Sequence, residues 1–252
     1  IKPMGLLPIK CTPEHPIYVT NFKKYKKCIH INGHKHYGEG KWTIEKIGNE
    51  MKIAKELNTK DYLMIPRKQS FNTFNNEELA WLHGAYLAKV WIEKKFNPKV
   101  KKYYESVKFG LGKHETDFVN KIYELSNKYF KTGSIDNKHY ETATKISLYK
   151  KGAVNFFKTC GTSSKNKHIA LFIKDANPKI VRAFIEGYLE GNGNTTHKDS
   201  LRISTTTEQI IYDLIEIFTM NLGILPNVYV EKNRENTIIC GRTANCKQAY
   251  EL

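Results

Sequence analysis

Two apolar stretches of the chain, residues 82–90 and 185–193, each carry a polar residue at the same place, Lys89 in the first and Asn192 in the second. The amide oxygen of an asparagine is a weaker ligand for a hard divalent cation than a carboxylate, and the ammonium of a lysine repels such a cation. The two residues therefore form a candidate paired polar site, and neither is a strong ligand for a divalent metal.

The two stretches share a second feature, a row of small residues along one side. Gly84 and Ala88 in the first, and Gly187 and Gly191 in the second, remove side chains where two helix backbones could approach closely. We expect the two helices to pack against each other and to bring their C-terminal ends together over one point.

This layout resembles the paired signature helices of the LAGLIDADG homing endonucleases. The resemblance implies an α+β fold, a duplicated αββαββα saddle with an internal pseudo-two-fold, acting as a monomer on a long site in double-stranded DNA. It implies catalytic positions at Lys89 and Asn192, with Lys167 as a supporting basic residue near the phosphate. In the family the two helices end in acids that hold a divalent metal, so the implied cofactor is Mg²⁺, with Asn192 as the remaining metal ligand. Both acids are replaced here, and the resemblance therefore implies impaired phosphodiester hydrolysis.

The apolar spacing after each signature stretch predicts the same order of elements twice, which indicates an internal duplication over 77–165 and 178–252. We predict helices at 77–93, 114–130, 153–159, 178–191, 207–222 and 244–250, and strands at 107–109, 145–149, 201–204 and 237–240.

Basic and polar residues alternate along the predicted strands. Alternate residues of a strand share one face, and such a face could lie along a DNA groove and read base edges. The candidate DNA-binding residues are Lys108, Lys145, Ser147, Lys198, Arg202 and Ser204. The net charge of +16 favours contact with a polyanion over a merely solvated face.

The first 70 residues read differently, as short β-prone runs at 17–19, 28–31 and 62–65 separated by turn residues. The segment Cys11-Thr-Pro-Glu-His15 is similar to the Thr-x-x-His block of intein (Hint) splicing domains, and 57–66 looks like the strand that follows it there. By this resemblance Thr12 and His15 would activate the scissile peptide. We therefore predict a Hint-like β-rich module at 1–70 and a LAGLIDADG endonuclease-like domain at 71–252.

The composition narrows the class of protein further. The five cysteines have no metal-ligand spacing, and their odd number argues against a disulfide framework, so we expect free thiols and an intracellular location in the cytoplasm, nucleoid or nucleus. No run of 18 apolar residues is present, which argues against a membrane span.

The sequence leaves two alternatives to a homing endonuclease. One is a non-cleaving DNA- or RNA-binding protein that kept the scaffold, such as a regulator or an intron maturase. The other is a structural component of a larger assembly.

Overall fold

A computed structural model describes most of the chain, in ten stretches. The described residues are 8–26, 29–31, 34–36, 42–131, 134–136, 143–197, 200–231, 234–239, 242–246 and 248–252. The chain forms two compact units, Ile1–Pro66 and Arg67–Leu252.

The first unit is built from strands. They are β1 (Pro16–Lys26), β2 (Ile29–Ile31), β3 (His34–His36), β4 (Trp42–Ile53) and β5 (Tyr62–Leu63), with one 3₁₀ turn at Ala54–Glu56. The long strand β1 lies between β4 and β5 in an antiparallel sheet, and β2 pairs with β3. The β-prone run predicted at 17–19 lies within β1, and the run predicted at 62–65 begins with β5, which ends at Leu63.

The second unit begins with a helix and a four-stranded sheet. Its first elements are α1 (Glu77–Lys89), β6 (Val90–Asn97), β7 (Lys102–Gly112), α2 (Thr116–Phe130), β8 (Ser134–Asp136), β9 (Ala143–Leu148) and α3 (Lys151–Lys158). Asn76 caps α1, because its side-chain oxygen accepts a hydrogen bond from the Leu79 backbone N–H at 2.9 Å. The strand order of the sheet is β6-β7-β9-β8.

The rest of the unit contains the second signature helix and a second four-stranded sheet. Its elements are α4 (Leu171–Lys174), α5 (Pro178–Asn192), β10 (Gly193–His197), β11 (Ser200–Thr205), α6 (Glu208–Glu216), a π-helical turn (Ile217–Leu222), β12 (Tyr229–Glu231), β13 (Arg234–Ile239), β14 (Arg242–Cys246) and β15 (Ala249–Glu251). The second four-stranded sheet runs β10-β11-β15-β12. Position for position this is the order of the first sheet, with the separate β13–β14 hairpin inserted before the last strand.

Most of the predicted elements are present, and two predictions were wrong. The first signature helix ends at Lys89 instead of 93, because β6 begins at Val90 and pairs along its whole length with β7. The segment 244–250, predicted as a helix, holds the end of β14 and most of β15, which pairs with β11 and β12. It therefore corresponds to β9 in the first sheet.

The core of the second unit lies between the helices and one side of each sheet. Phe109 and Ile146 are fully buried on the inner side of the first sheet, and Ile203 is 2% exposed on that of the second. Tyr86 and Tyr188, from α1 and α5, belong to the same cluster. Among the described residues no helix has the length and apolar character needed to cross a bilayer.

Candidate helix-end site and nucleic-acid interface

The helices α1 and α5 pack against each other through their glycines. A Cβ atom at Gly84 would overlap the Phe184 carbonyl oxygen and lie 2.6 Å from the Tyr188 backbone nitrogen. A Cβ atom at Gly187 would overlap the carbonyl group of Trp81. The two backbones are therefore in direct contact at the crossing, as the small-residue rows predicted.

The C-terminal ends of the two helices also meet. A Cβ atom at Gly191 would overlap the Cβ of Ala88 and lie 3.3 Å from the Cγ of Lys89. Lys89 is the last residue of α1, and Asn192 is the last residue of α5. The structure thus brings the two predicted catalytic positions to the same end of the helix pair.

Lys89 is held by an acid that the sequence reasoning missed. Its Nζ lies 3.7 Å from the Oε1 of Glu115, and the Lys89 side chain is 30% exposed. The other carboxylate oxygen of Glu115 accepts a hydrogen bond from the Gly112 backbone N–H. Glu115 directly precedes α2, where acids are common, and this local role gave no sign of a partner at the end of the preceding helix, α1.

Lys167 is buried at the end of α1. It is 8% exposed, and its Nζ donates to the carbonyl oxygens of Leu87 at 2.8 Å and Tyr86 at 3.4 Å. These carbonyls belong to the last helical turn, which lacks helical partners and carries the negative end of the helix dipole. Burial lowers the pKa of Lys167 to about 8. No carboxylate among the described residues forms an ion pair with it.

Lys167 and Asn192 line one cavity of about 300 Å³. Most of its other polar lining is hydroxyl groups, from Ser164, Ser204, Thr205, Thr206 and Thr207. The hydroxyls, the amide and the ammonium all carry O–H or N–H donors, and none of these groups is negatively charged. This lining can therefore donate hydrogen bonds to an anion. The cavity brings together Lys167, Asn192 and Ser204 from the predicted site residues, while Lys89 lies outside its lining.

Tyr188 is a further residue of this region that the sequence reasoning missed. Its hydroxyl is buried beside the side chains of Asn192 and Thr205, although neither meets hydrogen-bonding geometry. Burial raises the pKa of Tyr188, and the two neighbours only partly oppose that rise. Its position four residues before Asn192, one helical turn away, was the available signal.

The predicted DNA-binding residues of the first sheet share its outer face. Strand register places Lys108 opposite Ser147, and the Lys108 Nζ donates to the Ser147 hydroxyl at 2.9 Å. Lys108 and Ser147 are only 6% and 3% exposed, so both are covered by neighbouring side chains. Lys145 is half-buried, with its Nζ 5.8 Å from the centre of the Trp91 ring.

In the second sheet the corresponding residues are more accessible. Arg202 and Ser204 are exposed, and the Arg202 guanidinium lies 3.2 Å from the Glu251 carboxylate on the neighbouring strand. Lys198 lies outside the described residues.

Thr12 and His15 belong to the first unit, where they form the ends of a turn. The His15 backbone N–H donates to the Thr12 carbonyl oxygen at 3.1 Å, and the His15 carbonyl accepts from Ala54 at 2.9 Å. Both side chains are exposed. The turn therefore presents the threonine and the histidine at the surface, next to the 3₁₀ turn at Ala54–Glu56.

The residues at the helix ends do not fit a hard divalent cation. Such ions take several oxygen ligands, mostly carboxylates. Here the nearest acid of α5, Glu190, accepts from the Trp81 indole N–H at 3.2 Å and from Lys121 at 3.1 Å, and Glu115 is paired with Lys89. In the described part of the chain no three His, Cys, Asp or Glu side chains are grouped so that they could hold a metal.

The side chains of two cysteines are described, and both are free thiols. Cys11 is exposed and Cys160 is buried. The Cys160 Sγ lies 2.8 Å from the Nδ1 of His83, and burial raises the pKa of Cys160 to about 12 and lowers that of His83 to about 3. The pair is thus neutral and belongs to the core behind α1.

Several curated proteins are similar to this chain. It is 28% identical over 220 residues to DNA-directed RNA polymerase subunit Rpo1C of Methanocaldococcus jannaschii, which covers 86% of this chain and 23% of that protein. It is 32% identical over 141 residues to a DNA polymerase of Thermococcus kodakarensis, covering 56% of this chain and 8% of the polymerase. It is 23% identical over 206 residues to the iron–sulfur cluster assembly SufBD family protein Rv1461 of Mycobacterium tuberculosis, covering 79% and 24%. The chain spans about a quarter or less of the length of each of these relatives.

Solved structures show the same fold. The crystal structure of I-DmoI in complex with DNA and Ca matches with a TM-score of 0.51 and 15% identity, over 69% of this chain and 81% of that one. The complex of I-DmoI with DNA and Mn matches with a TM-score of 0.50 and 15% identity, over 69% and 87%. I-DmoI is a homing endonuclease. The profile of the LAGLIDADG-like domain matches residues 179–248, which contain α5 and most of the second sheet. The chain therefore contains a LAGLIDADG-like domain and has the fold of the LAGLIDADG homing endonucleases.

Proposed function

We propose that this chain is an intein-associated protein of the homing-endonuclease type, which binds a long site in double-stranded DNA and in which Mg²⁺-dependent hydrolysis is impaired. The observation that carries the proposal is the meeting of α1 and α5 at their C-terminal ends, with Lys89 and Asn192 as the terminal residues. The helix pair has the geometry of a site shared between two halves, but its end residues are an ammonium and an amide.

Duplex binding is supported by charge and by the two sheets. The net charge is +16, and cationic proteins gain affinity for DNA by releasing its counterions. Lys145 on the first sheet, and Arg202 and Ser204 on the second, offer donors to phosphates and base edges. Two sheets with the same strand order would present two half-sites, which suits a long target.

The impairment of hydrolysis is supported by the chemistry of the donors. The structures of I-DmoI with similar fold were solved with DNA and Mn or Ca. In this chain the Lys89 ammonium occupies one helix end, and its pairing with Glu115 uses the nearby carboxylate. Lys167 and the hydroxyl-lined cavity can still receive a phosphate oxygen, so binding and cleavage are separable in this site.

Association with an intein is supported by the relatives. An RNA polymerase subunit, a DNA polymerase and an iron–sulfur cluster assembly protein differ in what their names describe, yet each aligns with this chain over a small share of its length. A segment shared by otherwise different proteins behaves as an inserted element. The exposed turn from Thr12 to His15, in a separate β-rich unit, is compatible with part of a splicing domain.

The experiment has two stages because the target is unknown. Duplexes are first selected from a randomised library in the presence of EDTA, and we expect enrichment of a site longer than about 10 base pairs, one turn of the helix. Supercoiled plasmid carrying that site is then incubated with Mg²⁺ or Mn²⁺. We expect little nicking by the natural chain and more by the Lys89→Asp/Asn192→Asp variant.

The two stages separate the candidate functions. Enrichment without nicking by either protein would favour the non-cleaving DNA-binding alternative. Failure to enrich any duplex would contradict the proposal as a whole.

A further inference from the structure

The outer face of the first sheet exposes three aromatic rings. Trp91 is 41% exposed, Tyr104 is 51% exposed and Tyr149 is 59% exposed. The register places Trp91 opposite Lys108, and Lys95 opposite Tyr104, so these side chains lie on the same face, away from the core. Large rings are usually buried in a soluble protein, and several on one polar face indicate a binding surface.

The indole of Trp91 has a fixed support. A Cβ atom at Gly110 would lie 3.2 Å from the Trp91 ring, so the ring rests on a strand position without a side chain. Glycine weakens a strand, and its place here is explained by the close approach of the indole. Trp91 is therefore held in position while a large part of its surface stays in contact with solvent.

Tyr149 is held by a buried lysine. The Lys108 Nζ lies 4.7 Å from the centre of the Tyr149 ring and 3.5 Å from its hydroxyl oxygen. Lys108 is itself fixed by the Ser147 hydroxyl. A ligand that stacks on Trp91 or Tyr149 thus meets rings that are already ordered, which lowers the entropic cost of binding.

The charge around the rings is positive. Lys95 is exposed beside Tyr104, and the Lys145 ammonium lies 5.8 Å from the centre of the Trp91 ring. Glu93 lies on this face as well, but its carboxylate is 3.5 Å from Lys95 and 3.7 Å from Lys108 and is neutralised by them. Rings interleaved with lysines are the combination that binds single strands, with bases on the rings and phosphates on the cations.

A closed duplex offers these rings no base to stack on, because the flat faces of its bases are hidden inside the stack. Unpaired bases expose those faces, and each base stacked on an aromatic side chain gains affinity largely regardless of its identity. We propose that the aromatic–lysine face, defined by Trp91, Tyr104, Tyr149, Lys95 and Lys145, binds single-stranded DNA. This activity goes beyond recognition of a duplex and is tested separately from it.

The test measures binding of a fluorescein-labelled 15-nucleotide oligothymidylate by fluorescence anisotropy, in EDTA. The variants Trp91→Leu and Tyr149→Leu keep an apolar side chain and lose the ring, and we expect each to weaken binding by about 5- to 150-fold. Tyr212→Leu is the matched control, since Tyr212 is 45% exposed but lies on α6. It should bind as the natural chain does.

Tryptophan fluorescence gives a second readout, which does not rely on comparing the affinities of the variants. Unlabelled oligothymidylate should quench the tryptophan fluorescence of a Trp42→Phe chain, and adding Trp91→Leu should remove that quenching, because the one remaining tryptophan, Trp81, is buried. Circular dichroism shows whether each variant is folded, and Tyr104→Leu replaces any variant that is not.

Five outcomes decide the proposal. Equal binding by the natural chain, the Trp91→Leu variant and the Tyr149→Leu variant would overturn it, as would quenching that persists when Trp91→Leu is added to Trp42→Phe. Much tighter binding of the matching RNA strand would overturn the assignment to DNA. If the natural chain binds duplexes but no single strand, this inference fails and the proposed function stands. If it binds single strands but no duplex, the inference stands and the proposed function fails.

Discussion

The ammonium nitrogen of Lys167 lies 2.8 Å from the backbone carbonyl oxygen of Leu87, in the last turn of α1. The segment that follows α3 is thereby tied to the end of the first signature helix. Lys167 lines the same cavity as Asn192, and its contact with Leu87 satisfies a carbonyl group that the helix leaves without a partner.

The burial of Lys167 predicts a specific dependence of stability on pH. Its pKa is about 8 in the folded chain, against an ordinary value of 10.5. Below pH 8 both folded and unfolded chains hold the proton, so the cost of burying the charge is fully present, about 3 kcal/mol. Above pH 8 the folded chain releases its proton first, and the cost disappears as the pH approaches 10.5.

We therefore expect the free energy of unfolding to rise with pH between 7 and 10 relative to a Lys167→Met variant, by about 2 to 3 kcal/mol. Urea denaturation of both proteins at several pH values measures this difference, and the comparison cancels the titration of other groups. A difference that does not change with pH would show that Lys167 is not desolvated.

The close contact at the helix crossing predicts that a methyl group added at Gly187 destabilises the chain, whereas one added at Gly152 does not. Gly187→Ala would push a Cβ into the Trp81 carbonyl, and overpacking of this kind costs about 1–3 kcal/mol or more. Gly152→Ala is the matched control, because nothing lies within 4 Å of its Cβ position in α3 and alanine favours a helix. Thermal unfolding should show a clear loss for the first variant and no loss for the second; equal melting temperatures would contradict the close crossing.

Salt dependence tests the sheets as a duplex-binding surface. Each lysine or arginine that contacts a phosphate adds about one unit to the slope of log affinity against log salt. We expect Lys145→Gln and Arg202→Gln each to reduce that slope by about one, while Lys60→Gln, an exposed lysine of the first unit, leaves it unchanged. Unchanged slopes for Lys145→Gln and Arg202→Gln would remove these residues from the interface.

The exposure of Cys11 and the burial of Cys160 predict that Ellman's reagent reacts with Cys11 and not with Cys160 in the folded chain. The Cys160 thiol is buried against His83 with a pKa of about 12, so it holds its proton at pH 8 and is out of reach. Cys11 is exposed and should react in the native chain. Peptide mass spectrometry should find Cys160 labelled only after denaturation, and native labelling of Cys160 would contradict its burial.

The signature helices were predictable because glycine spacing is a local property of the sequence. Gly84 and Gly187 meet at the crossing as their positions predicted, and Lys89 and Asn192 end the two helices. The first helix was predicted to run to 93 because its apolar residues continue, but pairing with β7 takes over at Val90. The helix predicted at 244–250 was wrong for the same reason, since the strands that pair with this segment lie far away in the chain.

Burial of charged residues was the part that the sequence could not reveal. The alternation along β7 predicts that Lys108 faces outward into solvent. Its ammonium group is instead contacted by Ser147 from β9 and by Tyr149, which follows β9. Lys167 stands in a stretch of Ser, Lys and Asn typical of a solvated loop, and only the end of α1 explains its burial. Assignment of the first unit to a Hint domain stays a prediction.

Binding of Mn²⁺, followed by electron paramagnetic resonance, tests the helix-end site most directly and needs no knowledge of the DNA target. The natural chain should leave Mn²⁺ free in solution at micromolar concentrations, because Lys89 and Asn192 present one cation and one amide. The Lys89→Asp/Asn192→Asp variant should bind it, since two carboxylates at the meeting helix ends attract a hard cation. Equally tight binding of Mn²⁺ by the natural chain would contradict the account.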